Sequence, residues 1–160
     1  MNKLLIGIAF GAVCTLSVIL FQFSFTAPFR AARAYYDENR VQLERLVSEC
    51  RAAHVSGRVE AETAPESIRT ILDSLPDKYP KNNPSPKVST VSVTYDNDGD
   101  MKLSLNVWCE RTHGDGYNQP DLFCVNLIYL DDGCDADTRI TSEKPFAGNW
   151  YTWSHNTYSG

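Results

Sequence analysis

The sequence predicts an α+β protein: an N-terminal transmembrane helix, then an amphipathic helix and a short helix packed on an antiparallel sheet of about four strands. Three observations predict it. Residues 4 to 25 run for 22 positions without a charge. Beyond Pro28, apolar residues recur at spacings of three and four as far as Ala53. After a proline-rich connection the period drops to two. Helices in one run followed by strands in another point to helices laid on one face of a sheet.

The first segment decides the compartment. A helix rises 1.5 Å per residue, so about 20 residues cross the hydrocarbon core, and residues 4–25 are long enough to do so. A cleaved signal has a shorter apolar core, about 7–15 residues, and small residues before its cut. The good match is Ala32 with Ala34, which leaves Arg30 and Arg33 ahead of the cut; a cut after Ala27 puts the large Phe25 at −3. The segment therefore reads as an uncleaved signal-anchor. Residues 1–28 form the anchor and 29–160 the extracytoplasmic domain, with a secreted form after cleavage as the alternative. Cys14 follows Val13 in mid-run, not a small residue at its end. It reads as a small apolar side chain, not a lipid attachment point. Lys3 precedes the span while Arg30 and Arg33 follow it, so the basic flanks compete. The cysteine count favours the domain on the periplasmic or exterior side. Gly7, Gly11 and Thr15 share one face of this helix, a small-residue stripe that would allow helix association and a homo-oligomer.

The helical half spans 29–76. In "RAARAYYDENRVQLERLVSECRAAHVSG", Tyr36, Leu43, Leu46, Val47, Cys50 and Ala53 form an apolar stripe, with one longer step from Tyr36 to Leu43. Arg40 with Glu44 and Arg45 with Glu49 are spaced for ion pairs on the wet side, and Gly57 is the expected stop. In "TAPESIRTILDSLP", Thr63 and Glu66 have capping-box spacing, Pro65 opens the helix and Pro76 ends it. Ile68, Ile71, Leu72 and Leu75 form its apolar face.

The connection 77–87 is too rich in proline for regular structure, and the strand half occupies 88–160. Val91, Val93 and Tyr95, then Leu103, Leu105 and Val107, alternate on either side of "DNDGD" and predict a hairpin. "DLFCVNLIYL" is apolar on both faces and reads as an interior strand. A last strand is expected around Trp150 to Trp153.

With Cys14 in the span, Cys50, Cys109, Cys124 and Cys134 remain, an even number in a small domain. Outside the cytoplasm they read as two disulfides, and three connectivities are open. Cys109 and Cys124 flank one loop on neighbouring strands, which favours Cys109–Cys124 and Cys50–Cys134. A zinc site from Cys109, His113, Cys124 and Cys134 lacks the usual close ligand doublets. No metal or cofactor is expected. "DNDGD" does not match a calcium loop, because its glycine is fourth and its twelfth residue is Val107. It reads as a turn, with "DDGCDAD" as a second acidic turn.

Contact residues are expected in two places. The loop "HGDGYNQPD" offers His113, Asp115 and Tyr117, and long glycine-rich loops often carry function. The tail offers Trp150, Tyr151 and Trp153, whose rings suit a protein interface or a sugar. From Asp37 onward 12 basic residues stand against 20 acidic ones, a net charge of −8. That balance repels a phosphate backbone, so no nucleic-acid partner is expected.

An apolar N-terminal helix running into a folded head, "APFRAARAYY" at the end of its apolar part, and an antiparallel sheet behind it resemble a type IV pilin or pseudopilin in layout. The resemblance implies a subunit that assembles through its first helix. It is one of topology: pilins carry a glutamate at the fifth mature position, where Ala12 or Leu16 stands here, counted from Gly7 or Gly11.

The function expected is a membrane-anchored, non-catalytic module that binds another protein of the cell envelope, such as an inhibitor, an immunity-like factor or a complex subunit. The alternatives are a pilin-like assembly subunit and a small secreted or periplasmic enzyme using the His113 loop.

Overall fold

The computed structural model describes residues 2–78, 87–111, 122–132, 134 and 145–157, with backbone alone at 2–25, 111, 156 and 157. Helix α1 (Asn2–Ala52) is a single element of 51 residues, about 76 Å long at 1.5 Å per residue. It runs through Pro28 without ending there, so the expected boundary at that proline is not a break in the backbone. The helix bends further on, at Asn39 (φ −120°, ψ 18°). Asn39 is buried, and its Nδ2 donates to the Tyr35 carbonyl at 2.8 Å. That carbonyl is the one an unbroken ladder would aim at the Asn39 amide. The long step in the apolar stripe, from Tyr36 to Leu43, is therefore occupied by a polar side chain that serves the bend.

The rest of the stripe packs as the spacing requires. Tyr35, Tyr36, Leu43, Leu46, Val47 and Cys50 are buried in one core, whereas Ala53 is exposed. Glu44 does not pair with Arg40 on the wet side. Its Oε1 accepts from the Tyr36 hydroxyl at 2.8 Å and from Trp150 Nε1 at 3.1 Å. Burial, followed by this bond to Glu44, pushes the Tyr36 hydroxyl up to about 12.

The helix stops at His54, three residues before the glycine expected to stop it. His54 has φ 49°. Its N–H donates to the Arg51 carbonyl, and the Val55 N–H donates to the Cys50 carbonyl. These bonds make a Schellman motif with histidine at the left-handed position that glycine usually fills. A residue with a Cβ costs about 1–2 kcal/mol in that conformation, and glycine also raises the entropy of the unfolded chain. His54→Gly should therefore stabilise the fold by about 0.5–1 kcal/mol, measurable as a rise in the urea midpoint at unchanged slope.

Strand β1 (Gly57–Glu60) follows directly, and helix α2 (Glu66–Ser74) comes next. The four residues of β1 hold one buried apolar side chain, Val59, too few to show alternation in sequence. The capping box does not form. Pro65 is the N-cap with no side-chain bond, and Thr63 Oγ1 donates instead to the Glu60 carbonyl. Arg69 secures this corner by donating to the carbonyls of Ala61, Glu62 and Ala64. Ile68, Ile71, Leu72 and Leu75 are buried as expected.

Strands β2 (Thr90–Tyr95), β3 (Met101–Arg111), β4 (Leu122–Leu130) and β5 (Trp150–Thr157) complete an antiparallel sheet in the order β1-β2-β3-β4-β5. The sheet thus has five strands where about four were expected. The two helices lie on one face, with Val91, Val93, Leu103, Leu105, Val125 and Leu127 pointing into the shared core. The β2–β3 turn is organised by Asp96: its Oδ1 accepts from the amides of Asp98 and Asp100, its carbonyl accepts from the Gly99 N–H, and Gly99 has φ +88°. The turn reading of "DNDGD" holds.

At the far end of β4, Asp131 ties the layers together. Its Oδ2 accepts from the Met101 N–H at 2.8 Å, and its Oδ1 accepts from the Tyr129 hydroxyl at 3.0 Å and from Arg51 at 2.6 Å. Burial opposes its charge, but the Met101 amide, the Tyr129 hydroxyl and Arg51 outweigh it and hold the carboxyl below the usual range. The ionised form is therefore favoured in the fold. The stabilisation is full above the ordinary carboxylate pKa of about 3.9 and is lost as pH falls through the lower folded value. Asp131→Asn should cost about 2 kcal/mol at pH 7, and the gap to the parent protein should close as unfolding is repeated at falling pH. A gap constant down to pH ~2 would assign the effect to shape and not to charge.

Candidate functional site

The two faces of the sheet differ. One is covered by α1 and α2. The other carries no helix among the described residues and gathers most of the described candidates for function.

A bulge in β3 sets which side chains reach that open face. The register passes from Asn106↔Asn126 to Trp108↔Val125, leaving Val107 as the extra residue. Val107 and Trp108 are then both buried in the core, and Trp108 meets Phe123 edge-on with centroids 5.7 Å apart. The alternation reverses after the bulge, so Cys109 turns to the open face directly opposite Cys124. The two form a disulfide with Cα atoms 4.2 Å apart. This is the pair expected from their position around one loop. It also removes both sulfurs from any zinc set and from thiol catalysis, since neither is a thiolate.

The second expected disulfide does not form. Cys50 and Cys134 are both unbonded. Cys50 lies on α1 in the main core, while Cys134 packs against Ile128 and Leu130 on the opposite face. The sheet stands between them. Burial, and then Glu49, pushes the Cys50 thiol up to about 11, which makes it inert at neutral pH.

The aromatic tail divides. Trp150 is a core residue, 1% exposed, packed between Tyr36 and Tyr129, so it is not available as a contact. Tyr151 and Trp153 point the other way and lie half-buried on the open face beside Ile128, Leu130 and Cys134. Alternation along β5 forces this split. His113, Asp115 and Tyr117 lie outside the described residues. Gly7, Gly11 and Thr15 are helical within α1, and their side chains lie outside the described residues too. Among the described residues no helix is long and apolar enough to cross a membrane, and the side chains of the span 4–25 are not among them.

The open face also contains residues that the sequence reading did not single out. Asn126 is 9% exposed, and its Oδ1 accepts from Asn106 Nδ2 at 3.1 Å. His155 lies with its ring stacked on Trp153, centroids 5.6 Å apart and planes 18° apart. Its Nδ1 is buried without a hydrogen-bond partner, and burial lowers its pKa so that the neutral ring is favoured. Lys78 is half-buried, and burial lowers its pKa as well. The signal for Asn126 was present in sequence: it interrupts a strand that is otherwise apolar, as a buried polar side chain with a partner does, whereas Asn106 falls at an ordinary polar position of an alternating strand.

The acidic turns approach one another. Burial, and then the charges of Asp96, Asp131, Asp98 and Asp132, raise the Asp100 carboxyl. Among the described residues no group of three or more His, Cys, Asp or Glu side chains is placed to hold a metal ion. Comparisons of the chain with protein families, with curated proteins and with solved structures find no match.

Proposed function

We propose that the protein is a membrane-anchored, non-catalytic binding module of the cell envelope, with its sheet held in an oxidising compartment and its open face meeting a basic surface on another protein. The observation that carries this reading is the open face itself. Tyr151, Trp153, Ile128, Leu130 and Cys134 form an apolar cluster on the side of the sheet away from the helices. Asp96, Asp98, Asp100, Asp131 and Asp132 lie close enough to one another to interact at the adjoining end of the sheet. A ring-rich centre beside a run of acids suits a partner with apolar and cationic groups. The uncharged segment 4–25 and the Cys109–Cys124 disulfide support the anchor and the compartment.

The test is photo-crosslinking in native membranes. A crosslinker in place of Tyr151 should capture a partner, and the adduct should fade as salt is raised to screening concentrations. One in place of Val41, 78% exposed on α1, should not. Equal capture from both positions, or capture indifferent to salt, would sink the proposal.

One observation favours a second reading, an assembly subunit. Helix α1 runs through Pro28 without a break as far as the bend at Asn39, and Tyr35 and Tyr36 just before that bend are packed in the core of the head, so the apolar segment leads by unbroken helix into the head. In that case Gly7→Ile with Gly11→Ile should abolish self-association of the full chain in detergent while the thermal unfolding of the head stays unchanged.

A further inference from the structure

The half of the open face nearer β1 is polar. Thr90, Ser92, Ser104, Asn106 and Asn126 floor a groove of about 410 Å³, with Arg58 and Lys78 toward the β1 end and His155 at the other. A volume of this order suits a small molecule. Three features set it apart from an ordinary wet strand face. Asn126 is nine-tenths buried although it faces away from the main core. The Nδ1 of His155 is buried with nothing to bond, a state that ordinarily costs free energy. The Lys78 ammonium is half withdrawn from water, and among the described residues no carboxylate is paired with it; the neighbouring carboxylate of Asp77 is taken by Lys87 at 2.9 Å.

The order of groups along the groove describes a ligand. At the β1 end Arg58 is already paired with Glu60 at 3.1 Å, and Lys78 is the cation that calls for an anion. Hydroxyls and carboxamides, each able to donate and accept, line the middle and match a series of ligand hydroxyls. At the far end the imidazole, backed by the Trp153 ring, closes the groove with a flat surface of the kind on which sugar rings rest. The strand backbone is occupied by the ladder, so no cradle of free amides is present for a phosphate. The mainly polar walls leave little for an apolar ligand.

We propose that this groove binds a small acidic saccharide, with its carboxylate at Lys78, its ring hydroxyls over Ser92, Ser104, Asn106 and Asn126, and its far edge at the His155 ring. The floor strands are adjacent and about 4.8 Å apart, which gives room for about one or two hexose rings. The inference depends neither on the membrane anchor nor on a protein partner, because the groove is built from residues 58 to 155 of the folded head.

The experiment is titration calorimetry on the full chain, in a detergent without a sugar headgroup, with glucuronate, glucose and acetate as probes. Glucuronate should bind saturably, and glucose and acetate at least about tenfold more weakly, the equivalent of 1.4 kcal/mol. Lys78→Met should weaken glucuronate about tenfold or more. Ser104→Asp, which sets a like charge in the floor without removing packing, should do the same, with both variants unfolding at the parent temperature. Acetate binding as tightly as glucuronate would reduce the site to a bare anion pocket and overturn the saccharide assignment. The absence of saturation by glucuronate, or equal affinity in either variant, would overturn the site.

Discussion

Trp150→Ala is expected to cost about 3–5 kcal/mol, the range for emptying a fully buried large aromatic site. The indole is 1% exposed and lies between the rings of Tyr36 (5.3 Å) and Tyr129 (5.5 Å). It joins β5 to α1 through Nε1–H donated to Glu44, a contact between residues 106 positions apart in sequence. Losing it opens a cavity at the junction of the last strand with the helix. Trp150→Phe removes the donor and part of the ring volume, so its cost should be intermediate, about 1–3 kcal/mol; Glu44 still has the Tyr36 hydroxyl. Tyr151→Ala, one residue on and facing the other way, should also cost only about 1 kcal/mol. Urea unfolding of the three variants checks the order. If Tyr151→Ala proved as damaging as Trp150→Ala, the assignment of faces in β5 would be wrong.

Replacing Cys109 and Cys124 together by alanine should cost about 3 kcal/mol, the chain-entropy value for a 15-residue loop, close to this pair's separation of 15. For a domain of this size that corresponds to a fall in Tm of about 10 °C. Alkylation gives an independent reading. In native protein, Cys134 on the open face should react while Cys50 in the core stays protected until unfolding. Reductant should release two further thiols, those of Cys109 and Cys124. A Tm unchanged by the double substitution would mean that the staple contributes nothing to a hairpin already held by its ladder.

Much of the fold was legible because it rests on period. Leu43, Leu46, Val47 and Cys50 recur at helical spacing, and Val91, Val93, Leu103 and Leu105 at strand spacing. Both sets are buried, because a regular backbone carries a regular pattern to one face. Period is a poor guide where an irregular residue resets the phase or a short element carries no pattern. Asn39 fills the gap in the stripe and bends α1. Val107 adds one residue to β3 and reverses every side chain after it. β1 has a single apolar residue, and His54 takes a backbone conformation that composition assigns to glycine.

The candidate site was less legible, and for a physical reason. A binding face is a property of strands laid side by side, and neighbouring strands contribute residues distant in the chain. Arg58, Ser92, Ser104, Asn126 and His155 share no motif. Register alone brings them to one groove.

By itself the sequence determined the order of helices and strands, the uncharged leading segment, the acidic balance of the remainder and the cross-strand cysteine pair, because each depends on neighbours within a few residues or on a count. Only the tertiary structure decided that Cys50 and Cys134 lie on opposite sides of the sheet, that Trp150 belongs to the core while Tyr151 and Trp153 do not, and that two asparagines and a histidine line one groove. Those outcomes depend on which face of which strand a residue occupies. One inserted residue changes that face for everything after it, and the change leaves almost no mark in composition or local spacing.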